Sequence, residues 1–364
     1  METSKNGLVL VVGAGPVGLA SALELARFGQ PVRIIEAKSE PSTHSKAIGI
    51  NVRTLELLEP SGVTERLLEL GLKIARSNFQ TEDRLLFQIE FSKLQHRYNF
   101  MLGLPQSETE RTIEKRLNEY GVEVERGSTL ERLEQNDHRV KCGLSTSGGD
   151  SKIEAAYVIG ADGAHSVVRK LLGIEFPGKK MPGDWSLADV YMESPLDSEA
   201  ANVQLQQDGM LFMLRFKEGL FRVASNRPNV LERLPPGSKV HEVVWQSDFA
   251  VSHRQAETYN VGRVFLAGDA AHLHSPLGGR GMNLGIEDAT ILARRIVNGG
   301  LERYSAERHR AGASAIRMVR IQTHLATSTS PAVRILRNNV VPVILGIEAV
   351  QQRLVSRMVG LSYS

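Results

Sequence analysis

The sequence predicts an α/β fold in which a parallel-sheet domain is interrupted by an inserted β-sheet and followed by C-terminal helices. Three observations carry this prediction. A strand, a glycine-rich turn, a helix and a second strand follow one another near the start of the chain. Two short apolar strands lie far downstream, each ending in an aspartate. Between those two strands, residues 181–249 alternate polar and apolar side chains.

In the opening unit, Leu8 to Val12 is a short β-branched run that reads as a buried parallel strand. Gly13-Ala14-Gly15-Pro16-Val17-Gly18 follows, then an Ala/Leu-rich helix over Leu19 to Phe28 that Gly29 closes. Val32 to Ile35 forms the next strand. This is the setting of a Rossmann-like dinucleotide site. Gly13 permits a tight turn, Gly15 leaves room for a pyrophosphate against bare backbone, and Gly18 lets helix and strand pack closely. The free N–H groups of the helix N-terminus favour the phosphates. Glu36 ends the second strand, and its carboxylate suits the two ribose hydroxyls of an adenosine while repelling a 2′-phosphate. The site therefore favours FAD or NAD over NADP. No second fingerprint and no CxxC occur, which excludes a disulfide reductase built from two nucleotide folds.

The downstream strands are Tyr157 to Gly160, leading to Asp162, and Val264 to Ala267, leading to Asp269. Asp269 falls at a strand's C-terminal edge, where open α/β sheets bind ligands, and suits a sugar-like hydroxyl. Gly278, Gly279, Gly281 and Gly285 would permit close backbone approach to a flat ring. A helix beginning near Asn283 would aim its N–H groups at that ring and favour a reduced, anionic flavin.

These segments resemble the group A flavoprotein monooxygenases, the family of para-hydroxybenzoate hydroxylase and the phenol hydroxylase-like enzymes. The likeness also includes Ser45-Lys46-Ala47 with Arg53 to Glu56, and Pro105-Gln106 with Glu110, so it covers most of residues 7–310. The resemblance implies a Rossmann-like FAD-binding domain formed by residues 1–76, 95–180 and 250–300. It implies a β-sheet substrate domain at 77–94 and 181–249, and a C-terminal helical region at 301–364. Glu36 should hold the adenosine ribose and Asp269 the ribityl chain, with Lys46 and Gln106 along the FAD. Asp162 and Arg169 belong to a stretch tied to FAD and NAD(P)H. Pro276 should sit beside the reactive face of the ring, with Gly281, Met282 and Asn283 at its pyrimidine edge. Two departures stand out: relatives usually carry arginine in place of Lys46, and many carry glutamine in place of Arg280. A fixed charge at Arg280 would raise the flavin potential or attract an anionic substrate.

The expected reaction consumes NAD(P)H as co-substrate and O2. A flavin hydroperoxide would hydroxylate, or epoxidise, a small aromatic or polyketide-like molecule. The alternatives are an FAD-dependent reductase or dehydrogenase on the same fold, and a non-catalytic FAD-binding partner protein. His272 and His274 flank Leu273 beside the flavin motif, so either could meet a substrate, against a default of a packed or solvent-facing histidine. His274 and Pro276 are the candidate catalytic residues. Arg215, Arg222, His253 and Arg254 read as surface charge. Lys217-Glu218-Gly219 reads as a hairpin turn.

Composition fits this reading. The 364 residues are 41% hydrophobic and 23% charged, with a formal net charge of +3. No Lys/Arg-rich run points to nucleic acid. Cys142 is the lone cysteine, so neither an intrachain disulfide nor a cysteine metal site forms. No signal-peptide pattern leads the chain, and the late apolar stretch Val340 to Ile347 is too short to span a bilayer. A cytoplasmic protein without membrane contact is expected. After Ala289 the chain reads as helix with breaks near Gly299-Gly300, Ser330-Pro331 and Pro342. These helices are expected to pack on the FAD domain or on a second subunit, as in a homodimer. The thioredoxin-like C-terminal domain of larger relatives is not expected here.

Overall fold

The structure is a computed structural model that describes residues 7–42, 47–181 and 183–361. Lys46, expected along the FAD, lies outside the described residues.

A six-stranded sheet forms the floor. Its order is Asn260–Val261, Val264–Leu266, Tyr157–Gly160, Val9–Val12, Val32–Glu36 and Val124–Arg126, parallel except at the Asn260–Val261 edge. Val9, Leu10 and Val11 are fully buried, as a strand covered on both faces must be. The helix Pro16–Arg27 starts with a proline near its N-terminus and ends at Gly29, whose φ of +71° suits a helix-closing turn. It packs against the later helix Gly281–Asn298. Buried Glu24 ties the two, accepting from Arg27 at 2.9 Å and Arg294 at 2.7 Å. Where the helices meet, a Cβ on Gly285 would lie 2.5 Å from Val17, and one on Gly268 would lie 2.7 Å from it. Gly285 therefore serves helix packing and not, as expected, the approach to a ring.

A seven-stranded sheet forms the roof. Its order is Lys239–Phe249, Trp185–Glu193, Leu220–Ser225, Met210–Lys217, Ala201–Leu205, Arg76–Gln80 and Leu85–Glu90. Every pairing is antiparallel except that of Ala201–Leu205 with Arg76–Gln80. Lys217-Glu218-Gly219 does turn the hairpin between Met210–Lys217 and Leu220–Ser225, with Gly219 at φ +66°. The sequence reading missed an antiparallel meander of Thr129–Gln135, Val140–Thr146 and Gly149–Ala155.

The C-terminal helices break near Gly299-Gly300 and Ser330-Pro331, but not at Pro342. Helix runs from Pro331 through a π-helical turn, Leu336–Val340, to Leu345. Proline removes a helical N–H and crowds the carbonyl four residues earlier. Here the wider π turn precedes it, and the carbonyl of Asn338 accepts a hydrogen bond from Arg84 at 3.3 Å. Among the described residues no helix is long and apolar enough to cross a membrane.

Candidate active site

A cavity of about 1600 Å³ runs from the glycine turn, between floor and roof, to the C-terminal helices. Gly13, Gly15 and Glu36 line one end. Gly13 adopts φ +101°, and a Cβ there would lie 2.5 Å from the carbonyl of Ala161. Gly18 does not line the cavity, and its Cβ would fall 1.8 Å from the carbonyl of Gly13. Gly15 differs, for a Cβ there meets no protein atom within 4 Å. Bare backbone thus faces the cavity at Gly15, while Gly13 and Gly18 pack the turn.

The Glu36 carboxylate is fixed by backbone, accepting from the N–H groups of Ala14 at 2.8 Å and Lys38 at 3.0 Å. Gln106 lines the cavity and donates to Glu110 at 2.7 Å. Burial raises the pKa of the Glu110 carboxyl above its usual range, against the opposing bond from Gln106.

Asp162 lines the cavity, yet its oxygens are committed to the protein. They accept from the Ser166 hydroxyl at 2.5 Å and from the N–H groups of Val167 at 2.7 Å and Val168 at 3.1 Å. Asp162 thus takes up the first two N–H groups of the helix Val167–Leu171, while Ser166 is its N-cap and accepts from the Arg169 N–H at 2.9 Å. Arg169 is buried against Phe176 and donates to the carbonyls of Ala270 at 2.8 Å and Ala164 at 2.9 Å. Arg169 braces the turn that carries Asp269, which lines the cavity.

Behind that turn lies a buried polar network. Asp288 accepts from the Gly268 N–H at 3.2 Å and from Arg308 at 2.5 Å, and lies 2.6 Å from His272 Nε2. Arg308 also pairs with Glu287 at 2.8 Å. Burial pushes the Asp288 carboxyl upward, but Arg308 and His272 reverse this and hold it below the usual carboxylate range. His272 is spent here and does not reach the cavity, so the expectation that it could meet a substrate is corrected.

His274 does line the cavity. Its Nδ1 lies 2.9 Å from the carbonyl of Ser275. A carbonyl only accepts, so Nδ1 carries the proton and Nε2 keeps a lone pair. Nε2 has no protein partner among the described residues. Burial lowers the His274 pKa to about 4, with His272 and Arg280 acting in the same sense. The imidazole is neutral at ordinary pH.

Pro276, Gly281 and Met282 line the same region. The first bond of the helix Gly281–Asn298 runs from the Leu284 N–H to the Arg280 carbonyl at 2.8 Å. The preceding N–H groups face the cavity end of the helix. Asn283 departs from expectation, since its side chain lines no part of the cavity. It donates to the carbonyls of Gly49 at 2.9 Å and Gly279 at 2.5 Å and accepts from the Asn51 N–H at 2.9 Å. Its work is to lock the Gly49–Asn51 segment onto the helix. Arg280 is buried along the cavity and donates to the carbonyl of Arg357, fastening the C-terminal helix Glu348–Met358.

The roof corrects the reading of its arginines. Arg222 is 3% exposed and lines the cavity. It makes a two-pronged pair with Asp189, both contacts 2.7 Å, and donates to the carbonyl of Ala47 at 3.2 Å. Arg254 also lines the cavity and donates to the Phe176 carbonyl at 3.0 Å. Arg215 is the surface charge expected, paired with Glu199 at 2.6 Å. His253 is half-buried off the cavity wall. A signal for Arg222 existed in the sequence. Two largely apolar strands each hold one charge in mid-strand, of opposite sign, and the register sets Asp189 directly across from Arg222.

The donor set fits FAD. Open backbone at Gly15 and the helix N-terminus at Pro16 suit a pyrophosphate, and Glu36 suits a ribose. Asp269 suits a ribityl chain, and the N-terminus of Gly281–Asn298 suits an electron-rich ring edge. The FAD binding domain family model matches residues 7–233 and 225–319. Rifampicin monooxygenase of Streptomyces venezuelae is 33% identical over 381 residues, 97% of this chain and 78% of the relative. Dialkyldecalin synthase of Streptomyces rugosporus is 30% identical over 381 residues, 97% of this chain and 79% of the relative. The structure of the anhydrotetracycline hydroxylase OxyS from Streptomyces rimosus matches with a TM-score of 0.82 at 31% identity, covering 98% of this chain and 76% of that one. This chain belongs to the FAD-binding family of flavin-dependent oxidoreductases, and within it to the group A flavoprotein monooxygenases.

Proposed function

We propose that this chain is a single-component monooxygenase that uses NAD(P)H and O2 to hydroxylate an aromatic or polyketide-like small molecule. The observation that carries the reading is one continuous cavity. It joins the glycine turn and Glu36 to a neutral histidine and Pro276, under an apolar roof. The chemistry that FAD supplies when bound is acceptance of hydride from NAD(P)H and activation of O2.

The chain's own residues bind, orient and exclude water. Glu36 holds the adenosine ribose, Gln106 lies along the cofactor, and Asp269 holds the ribityl chain. The first-turn N–H groups of Gly281 and Met282 stabilise negative charge at the pyrimidine edge. Pro276 packs beside the reactive face. His274 Nε2 accepts a hydrogen bond from a substrate hydroxyl, which orients the ring and makes the carbon beside that hydroxyl more electron-rich. Residues 77–94 and 181–249 act as the substrate domain, walled by Phe79, Phe212, Leu214 and Trp185. The test is incorporation of label from ¹⁸O2 across a panel of hydroxylated aromatic compounds with one to four rings. One labelled atom per productive turnover is expected. NAD(P)H oxidation that yields only H2O2 across the panel would refute oxygen insertion.

A second reading is favoured by the likeness to dialkyldecalin synthase, a name that denotes ring formation. On that reading FAD is retained as a structural group and no NAD(P)H is consumed during turnover.

A further inference from the structure

We propose that Arg337 is a specificity-determining residue that holds an anionic oxygen of the substrate, a carboxylate or an ionised phenol or enol, at the cavity end formed by the C-terminal helices. The inference rests on the monooxygenase reading only for where the substrate lies. Arg337 is 3% exposed and lines the cavity. It stands in the π-helical turn Leu336–Val340, a distortion that recurs at functional sites. Its Nε donates to Asn338 at 2.9 Å, and its Nη1 donates to the carbonyls of Leu325 at 3.3 Å and Ala326 at 3.1 Å. These neutral acceptors aim the guanidinium without neutralising it.

Among the described residues no carboxylate lies within ion-pair distance of Arg337. Its charged neighbour Arg334 has the same sign, and burial together with Arg334 lowers its pKa. A buried cation without a counter-ion costs free energy that an anionic ligand would recover. The carboxylates lining the cavity among the described residues are Glu36, Asp162 and Asp269, all on the nucleotide half. The surroundings point to an aromatic or polycyclic anion. Ala326, whose carbonyl Arg337 holds, packs with Val203, Leu205, Met210 and Leu277, and Leu277 adjoins Pro276 in the chain. A flat substrate can therefore set its charge on Arg337 and its reacting edge toward Pro276. Arg337 lies beyond the matched family segment, which ends at residue 319.

The test measures binding to FAD-loaded protein, by ligand fluorescence, without turnover. The probes are hydroxylated naphthalene, anthracene and tetracene carboxylates, their neutral carboxamides, and the corresponding phenols on either side of their ionisation. The wild type should prefer at least one anion over its neutral partner by about tenfold, the worth of one charge-assisted hydrogen-bonded contact. Arg337→Gln should abolish that preference while leaving the carboxamide within about twofold, and Arg337→Lys should keep part of it. Equal affinity for anion and neutral partner throughout the wild-type panel would overturn the proposal, as would a preference that survives in Arg337→Gln. Should the glutamine variant not fold, the wild-type preference and the lysine variant decide alone. Anion binding through Arg337 without label from ¹⁸O2 would sink the monooxygenase reading and leave this one standing. Oxygenation with no anion preference would do the reverse.

Discussion

Acidification should expose the cost of burying His274. Its unfolded pKa is about 6.5, whereas burial beside His272 and Arg280 sets the folded value at about 4. Between those values the unfolded chain binds a proton that the folded chain refuses. Stability therefore falls as pH drops from 6.5 toward 4 and levels below. A gap of about 2.5 units at 1.36 kcal/mol each gives a total near 3 kcal/mol, of which about 2 kcal/mol is already lost at pH 5. Asparagine can keep the donor to the Ser275 carbonyl and does not titrate, so His274→Asn isolates the term. The assay is urea unfolding of both proteins at fixed excess FAD, from pH 7.5 to 4.5, followed by tryptophan fluorescence. The wild type should lose stability relative to the variant by these amounts. Parallel stability curves would refute the burial of a neutral His274. The same assignment predicts a turnover that stays flat down to about pH 5 on its acid limb and falls in His274→Asn.

Other perturbations separate the remaining roles. Gly15→Ala should fold with near wild-type stability but lose bound FAD by absorbance, because its Cβ meets only the cavity; Gly18→Ala should lose fold as well as flavin, through its 1.8 Å clash. Arg222→Met should cost about 3 kcal/mol in urea unfolding by stranding Asp189, and adding Asp189→Leu should recover most of it. Burial raises the Cys142 thiol to about 11. Its alkylation by iodoacetamide at pH 8 should therefore be more than about a hundredfold slower folded than unfolded. Asp162→Ala should destabilise by about 1 kcal/mol by leaving the first helix N–H groups, Val167 and Val168, without their acceptor.

The nucleotide half was legible in the sequence because its signals are local. Gly13 to Gly18, Glu36 and Asp269 sit at strand ends whose order the apolar runs give away. The hairpin at Lys217–Gly219 was legible for the same reason. What sequence could not supply was partnership across distance. Asn283 and Asp162 are polar residues in cofactor motifs, yet their atoms are absorbed by backbone groups of neighbouring segments. His272 and His274 lie two residues apart, and only the fold assigns one to Asp288 and the other to the cavity. Arg222 reads as a surface charge because burial of a cation depends on what covers it. Pro342 read as a break because the π turn that accommodates it has no clear sequence mark.

The most direct test of the central claim is the absorbance spectrum of purified protein reconstituted with FAD, before and after anaerobic addition of NADH or NADPH. A flavin spectrum that one of them bleaches is the predicted result. Glu36→Ala and Asp269→Ala should lose the bound flavin. Wild-type protein that takes up no FAD, or variants that retain it in full, would contradict the account.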